Sequence, residues 1–246
     1  MQTTENALLG GRVRLKQPAR GYRAGMDAVL LAAACDAAAG ARVLDAGCGP
    51  GAVMICAAVR RSGALFLGVE DDDTARTLAG ENIRLNGLEP RLSVAKARIG
   101  APRSKIPGAP FDAVLANPPF FDDPASLRGP SPEKSAAWIA PEGLGAWIAH
   151  LLRALREGGT ITLIHRADRL GDILAALSPK SGAVQVRPVS PYADAPAGRV
   201  LVRAVKSAKA PLRLLPPLAL HPRDGEAKHT PEAEAILRGE AGLDWL

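Results

Sequence analysis

Nine consecutive residues constrain this chain more than any other feature: Val43-Leu44-Asp45-Ala46-Gly47-Cys48-Gly49-Pro50-Gly51. The apolar run from Arg42 to Ala46 reads as a buried strand, and a helix is expected over residues 52–60. The glycines between them let the backbone turn sharply and approach a ligand with no Cβ in the way. A helix N-terminus after such a turn favours a carboxylate or a phosphate. Two acids frame the turn. Asp45 closes the strand, where it can reach a ligand ammonium. Glu70 closes the next strand in Gly68-Val69-Glu70, with Asp71 beside it, and its two oxygens suit the two hydroxyls of a ribose.

A G-x-G pattern alone is shared by nicotinamide and flavin dinucleotide sites. Here the spacing is G-x-G-x-G, and both acids are present. S-adenosyl-L-methionine offers an ammonium, a carboxylate and a free ribose diol, which match these groups. Asp45, Gly47, Cys48, Gly49, Gly51, Glu70 and Asp71 are the candidate cofactor residues. Cys48 reads as a small residue within the loop, with no nucleophilic role.

Further strands are expected over residues 64–69, 91–95, 112–116, 160–165, 183–189 and 199–205. Helices are expected over 28–39, 72–86, 142–156, 170–177 and 231–238. Alternating strands and helices argue for an α/β fold with a mostly parallel sheet covered on both faces. The last two strands are joined without a full helix, so an antiparallel hairpin is expected at one edge of a seven-stranded sheet. The expected organisation is a basic N-terminal arm and helix over 1–40, a main domain over 41–207 and a C-terminal extension of it over 208–246.

The chain's 47% apolar content is that of a globular protein. It has no apolar run of the ~20 residues needed to span a bilayer, and its start lacks the basic-then-apolar order of a signal peptide. Its three cysteines are unpaired by spacing, which fits reduced thiols in a cytoplasm. The net charge is +6. Five cations and no acid lie between Gly10 and Ala24, and nine cations against three acids lie between Arg166 and Arg213. Both stretches are candidates to grip the phosphates of a polyanion. His150, His165, His221 and His229 have no metal-ligand spacing, so no metal is expected and each reads as structural or exposed. Trp138 and Trp147 read as core packing, with a substrate contact as the alternative for Trp138, and Tyr22 reads equally as packing or as a residue that covers the cofactor or stacks on a base.

A second motif carries chemistry. The strand ending at Ala116 is followed by Asn117-Pro118-Pro119-Phe120. Ligands of open α/β sheets bind at the carboxyl ends of strands, so this turn is expected in the same mouth as the glycine loop. The prolines fix φ and hold the Asn117 side chain and the Pro118 carbonyl as two acceptors. Two acceptors that take both N–H bonds of a conjugated amino group favour its pyramidal form and free its lone pair. Phe120 can stack on a planar substrate.

Together, Asp45-x-Gly47-x-Gly49, Glu70 and Asn117-Pro118-Pro119-Phe120 resemble the amino-methyltransferases that bear an N-P-P-[YF] motif. Within that group the chain looks most like the bacterial tRNA (adenine-N6)-methyltransferases that modify the adenine next to the anticodon of valine tRNA. The added likeness lies in Gln17, Gly21-Tyr22-Arg23, Gly25, Asp27-Ala28-Val29-Leu30-Leu31, His221-Pro222 and His229-Thr230-Pro231-Glu232-Ala233. The resemblance implies a Rossmann-like class I methyltransferase fold, S-adenosyl-L-methionine as cofactor and tRNA as partner. It also implies Asp27 near the methionine end of the cofactor and Asn117 to Phe120 at the reacting amino group. The family commonly has an Asp after the third strand for the cofactor's adenine, where this chain has Arg98, which offers no acceptor. Two alternatives stand beside this one: a release-factor-type glutamine methyltransferase, and a binding module that keeps the pocket without chemistry.

Overall fold

The computed structural model describes residues 2–19, 23–101, 104–120 and 142–245. Its main sheet is built around β3 (Arg42–Ala46), β4 (Leu65–Glu70), β5 (Leu92–Lys96), β6 (Phe111–Ala116), β7 (Leu155–Arg166), β8 (Ser181–Ser190) and β9 (Arg199–Lys206). Their spatial order is β5-β4-β3-β6-β7-β9-β8. β9 runs antiparallel to both β7 and β8, and the other pairings among the seven are parallel. This is the expected seven-stranded class I methyltransferase sheet with its antiparallel hairpin. The hairpin's second strand lies against β7, which leaves β8 outermost of the seven. Two short additions, β10 (Arg213–Leu214) and β11 (Leu218–Ala219), pair with β8 and bring the sheet to nine strands.

Both faces of the sheet are covered, and this is written in the strands as near-continuous apolar runs. Val43, Ala113, Leu115, Ile164 and Leu201 belong to one buried cluster, with α1 (Met26–Ala33), α2 (Ala52–Arg60), α3 (Asp73–Leu85) and α6 (Pro231–Arg238). Leu44, Val114, Ala116, Leu163, Val200 and Val202 belong to the other, with α4 (Leu144–Ala154) and α5 (Leu170–Leu177). On α4, Leu144, Trp147, Ile148, Leu151 and Leu152 are all buried. A fully buried leucine of this kind contributes about 1.5–3 kcal/mol.

The N-terminal arm is a β-hairpin, which the sequence reading did not anticipate. β1 (Thr3–Leu8) pairs antiparallel with β2 (Val13–Pro18). In β2, buried Val13, Leu15 and Gln17 alternate with outward Arg14 and Lys16. Asn82 of α3 and Asn86, the residue that caps its C-terminus, dock its free edge. Asn82 and Asn86 accept from the amides of Lys16 and Arg14 at 2.8 and 2.9 Å, and donate to the carbonyls of the same two residues. Buried Gln17 accepts from the Ala24 amide at 2.7 Å and so fixes the approach to α1.

The first helix ends at Ala33, not at 39 as expected. The carbonyls that would extend it have other partners. Leu243 N donates to Ala33 O, Trp245 Nε1 to Ala34 O and Arg61 Nε to Cys35 O. The turn expected at Gly158-Gly159 also lies inside β7, where Gly158 has φ +71° and the register to β6 shifts. No helix among the described residues is long and apolar enough to cross a membrane.

Candidate active site

Parallel pairing aligns the carboxyl ends of β3, β4 and β6. Ala46 stands opposite both Val69 and Ala116, so Gly47, Glu70 and Asn117 leave the sheet side by side. The glycine loop is tied to β4 by its amides, since Gly47 N and Cys48 N both donate to Val69 O at 2.9 and 3.0 Å. Gly47 has φ +70°. A Cβ on it would stand 2.8 Å from Cη2 of Trp147, so α4 packs directly on the loop and only glycine fits. Trp147 is thus core packing, as expected, and also a wall of this site.

Asp45 is buried beneath the loop, and its Oδ2 accepts from Met54 N at 3.1 Å in the first turn of α2. Burial pushes this carboxyl up to about 7. Glu70 is half-buried and is also engaged with backbone. Its Oε2 accepts from Gly49 N and its Oε1 from Asp71 N and Asp72 N, all at 2.9 Å. One further acceptor site, on Oε2, remains for a ribose hydroxyl. Asp71 itself is exposed. The Cys48 thiol is buried and pushed up, first by desolvation and then by Asp45 and Glu70, which keeps it protonated and fits the inert role expected. Open space begins at Gly49, where a Cβ would have nothing within 4 Å. A clear approach to Gly49, beside the half-buried carboxylate of Glu70, fits a nucleoside cofactor with a ribose diol.

On the other side of the mouth, Pro118 is buried, while Asn117, Pro119 and Phe120 are half-buried. The Asn117 side-chain oxygen has almost no solvent exposure. Phe120 lies against His165 and Arg199, and Asp27 pairs with Arg199 through Nε and Oδ2 at 3.0 Å. His165 and Arg199 belong to this site, although the sequence reading treated His165 as structural or exposed and Arg199 only as one of a run of cations. No local spacing signals either.

Arg98 is exposed, and its guanidinium pairs with Glu142 Oε1 at 2.7–2.8 Å. A carboxylate therefore stands beside the position that lacks the family's Asp. His150 accepts from Gly100 N at 2.9 Å and is buried, a structural role. His221 and His229 stack on each other at 5.4 Å. Among the described residues no group of three or more His, Cys, Asp or Glu is arranged to hold a metal. Arg20, Gly21, Tyr22 and Trp138 lie outside the described residues, as does the proline-dense loop beyond Phe120.

Many of the described cations in the two basic stretches have partners within the fold. Arg12 donates to Arg238 O and Gly239 O, Arg14 pairs with Glu5, Lys16 with Glu81, and Arg23 donates to Thr4, Asn6 and Pro18. Arg166 pairs with Asp168, Arg169 with Asp172, Arg203 with Asp36 and Lys206 with Glu157. Arg187 is buried on the carbonyls of Pro216 and Asp244. The exposed Lys180 and Lys209 stand at the opposite end of the sheet from Asn117, near the pairing of Ser181 with Lys206.

Residues 24–128 match the model of the methyltransferase small domain. The chain is similar to a release factor glutamine methyltransferase of Gloeobacter violaceus, 36% identical over 52% of this chain and 47% of that protein. The chain thus spans about half the length of that relative. It is also similar to a tRNA1(Val) (adenine(37)-N6)-methyltransferase of Dyadobacter fermentans, at 26% identity over 86% of this chain and 87% of that protein. Among solved structures, a predicted O-methyltransferase of Agrobacterium tumefaciens superposes with a TM-score of 0.72 at 25% identity, covering 88% of this chain and 98% of that one. The matched domain, these relatives and the fold are those of methyltransferases.

Proposed function

We propose that this chain transfers a methyl group from S-adenosyl-L-methionine to the N6 amino group of an adenine in RNA, with tRNA as the substrate. The observation that carries the proposal is the register of the sheet. Because Ala46 pairs with Ala116, Asn117 and the glycine loop open into one mouth. In it, Glu70 and the open approach at Gly49 would receive the cofactor, which when bound supplies an electrophilic methyl carbon on a sulfonium.

Asn117 Oδ1 and the Pro118 carbonyl accept the two N–H bonds of the entering amino group. That contact stabilises the pyramidal nitrogen, which is stronger in the transition state than in the ground state and therefore accelerates the reaction. The nitrogen lone pair forms the new N–C bond, the S–C bond breaks, and the proton leaves the nitrogen for solvent. Asp45 ties the loop to α2, and Phe120 receives the flat face of the base. A base in structured RNA must leave its stack to reach it.

Two features favour RNA over a protein amide. The similarity to the Dyadobacter fermentans tRNA enzyme extends over 86% of this chain and 87% of that protein, while that to the release-factor enzyme covers 52% and 47%. The test is incubation with methyl-labelled cofactor and either total tRNA or release factor, followed by digestion. Label recovered as N6-methyladenosine is expected. Label in the release factor would replace RNA by a glutamine amide, and bound cofactor with no transfer to either would make the chain a binding module.

A further inference from the structure

Asp27, Phe120, His165 and Arg199 come from four separate stretches of chain and meet at the carboxyl end of the sheet. The Arg199 guanidinium carbon lies over the Phe120 ring, 4.9 Å from its centroid. Its Nε donates to Asp27 Oδ2 at 3.0 Å, so the guanidinium is oriented from the first turn of α1. His165 meets the same ring edge-to-face, with centroids 5.4 Å apart and planes at 86°. Its Nε2 lies 3.3 Å from the Pro119 carbonyl, and the imidazole is buried. The ring and the backbone of the turn are therefore gripped at two points.

We propose that Arg199, oriented by Asp27, is a positioning residue that backs Phe120 and fixes it as the stacking platform for the target base, with His165 as the second buttress. The inference rests on the methyl-transfer function proposed above. A planar guanidinium can pack flat on a ring while its Nε keeps a directed bond to a carboxylate, and an ammonium cannot do both. The attraction of cation for ring face holds the side chain in one rotamer. A base that lands on the opposite face of a ring already held there loses less free energy to ordering. As a stability device the pair would be weak, because the Arg199 and Asp27 side chains keep 35% and 26% of their exposure. Its effect belongs to substrate binding, felt equally in ground and transition states, and so to KM more than to kcat.

The test is steady-state RNA methylation by Arg199→Ala, Arg199→Lys, Phe120→Leu and the Arg199→Ala/Phe120→Leu double variant. Each Arg199 variant is expected to raise KM about five- to tenfold with kcat within about threefold. The double variant is expected to be no worse than Phe120→Leu, because the two residues act as one unit. Arg199→Lys keeps the charge, so wild-type KM in that variant would overturn the proposal, and so would losses that multiply in the double variant.

Amide exchange at Asn117 and Phe120, followed by NMR, needs no substrate. Exchange there is expected to quicken in Arg199→Ala while β3 and β4 stay protected. Unchanged exchange at both amides would overturn the positioning role whatever the substrate. Faster exchange together with no label in RNA would uphold that role and strike only the methyl-transfer function.

Discussion

Along the carboxyl edge of the sheet, the glycine-loop side and the Asn117 side are assembled differently. The first runs from Asp45 to Asp72 and closes on itself: Glu70 receives Gly49 N, Val69 O receives Gly47 N and Cys48 N, and Asp45 receives Met54 N. The second depends on Asp27, His165 and Arg199, and the bond from Arg199 to Asp27 spans 172 positions. One side is a local motif that needs its neighbours in sequence. The other exists only once the hairpin β8–β9 and the first helix have docked. Cofactor binding should therefore survive damage to the Asn117 side, while substrate handling should respond to residues far away in sequence.

The largest expected effect tests that separation directly. Asn117→Ala should lower single-turnover methyl transfer about a thousandfold, while calorimetry shows cofactor affinity within about tenfold of wild type. Equal losses in both would merge the two sides into one.

Next comes Gly47→Ala, which strikes the local side. A left-handed alanine and the approach of Trp147 should together destabilise the protein by about 2–4 kcal/mol, read as a lower urea midpoint at unchanged slope. An unchanged midpoint would mean that α4 yields easily and the loop is less rigid than its contacts suggest.

Asp45 gives a pH signature. Burial lifts it from 3.8 to about 7, so the folded chain holds a proton between those values that the unfolded chain has lost. This group's contribution to stability therefore falls as pH rises through that window and levels off above about 7. A cofactor ammonium is served by the ionised form, so affinity should drop up to about tenfold per pH unit below 7. Asp45→Asn should flatten that profile, and an equally steep profile in the variant would place the titrating group elsewhere.

The smallest effect is expected from Lys180→Ala/Lys209→Ala. These cations stand at the far end of the sheet, so KM for RNA should stay within about twofold and its salt dependence should not change. A clear loss would extend the RNA contact around the molecule, away from the mouth.

The same contrast explains what was legible in the sequence. Strand, turn and helix around residues 43–60 are local, and periodicity with glycine spacing was enough to place them. Covered faces made Val43 and Leu44 both apolar, which marked the strand as buried, and the alternation of strands with helices identified a parallel sheet. The N-terminal hairpin was missed because Val13, Leu15 and Gln17 form a short alternation amid cations, and its edge is satisfied by Asn82 and Asn86 from a distant helix. The first helix was read six residues too long because alanines 37–39 favour a helix, whereas Leu243, Trp245 and Arg61 take the carbonyls that would continue it. Charge counting suggested a phosphate grip, and Asp36, Glu157, Asp168 and Asp172 pair four of the nine cations between Arg166 and Arg213 within the fold. His165 and Arg199 carry no sequence signal, since only the folded sheet brings them to Phe120.

A crystal structure with S-adenosyl-L-homocysteine soaked into the protein tests the shared mouth most directly. The ribose is expected on Glu70, the chain passing Gly49, and the sulfur facing the side chain of Asn117. A ligand seated away from the glycine loop, or a sulfur turned from Asn117 with the rest in place, would contradict the account.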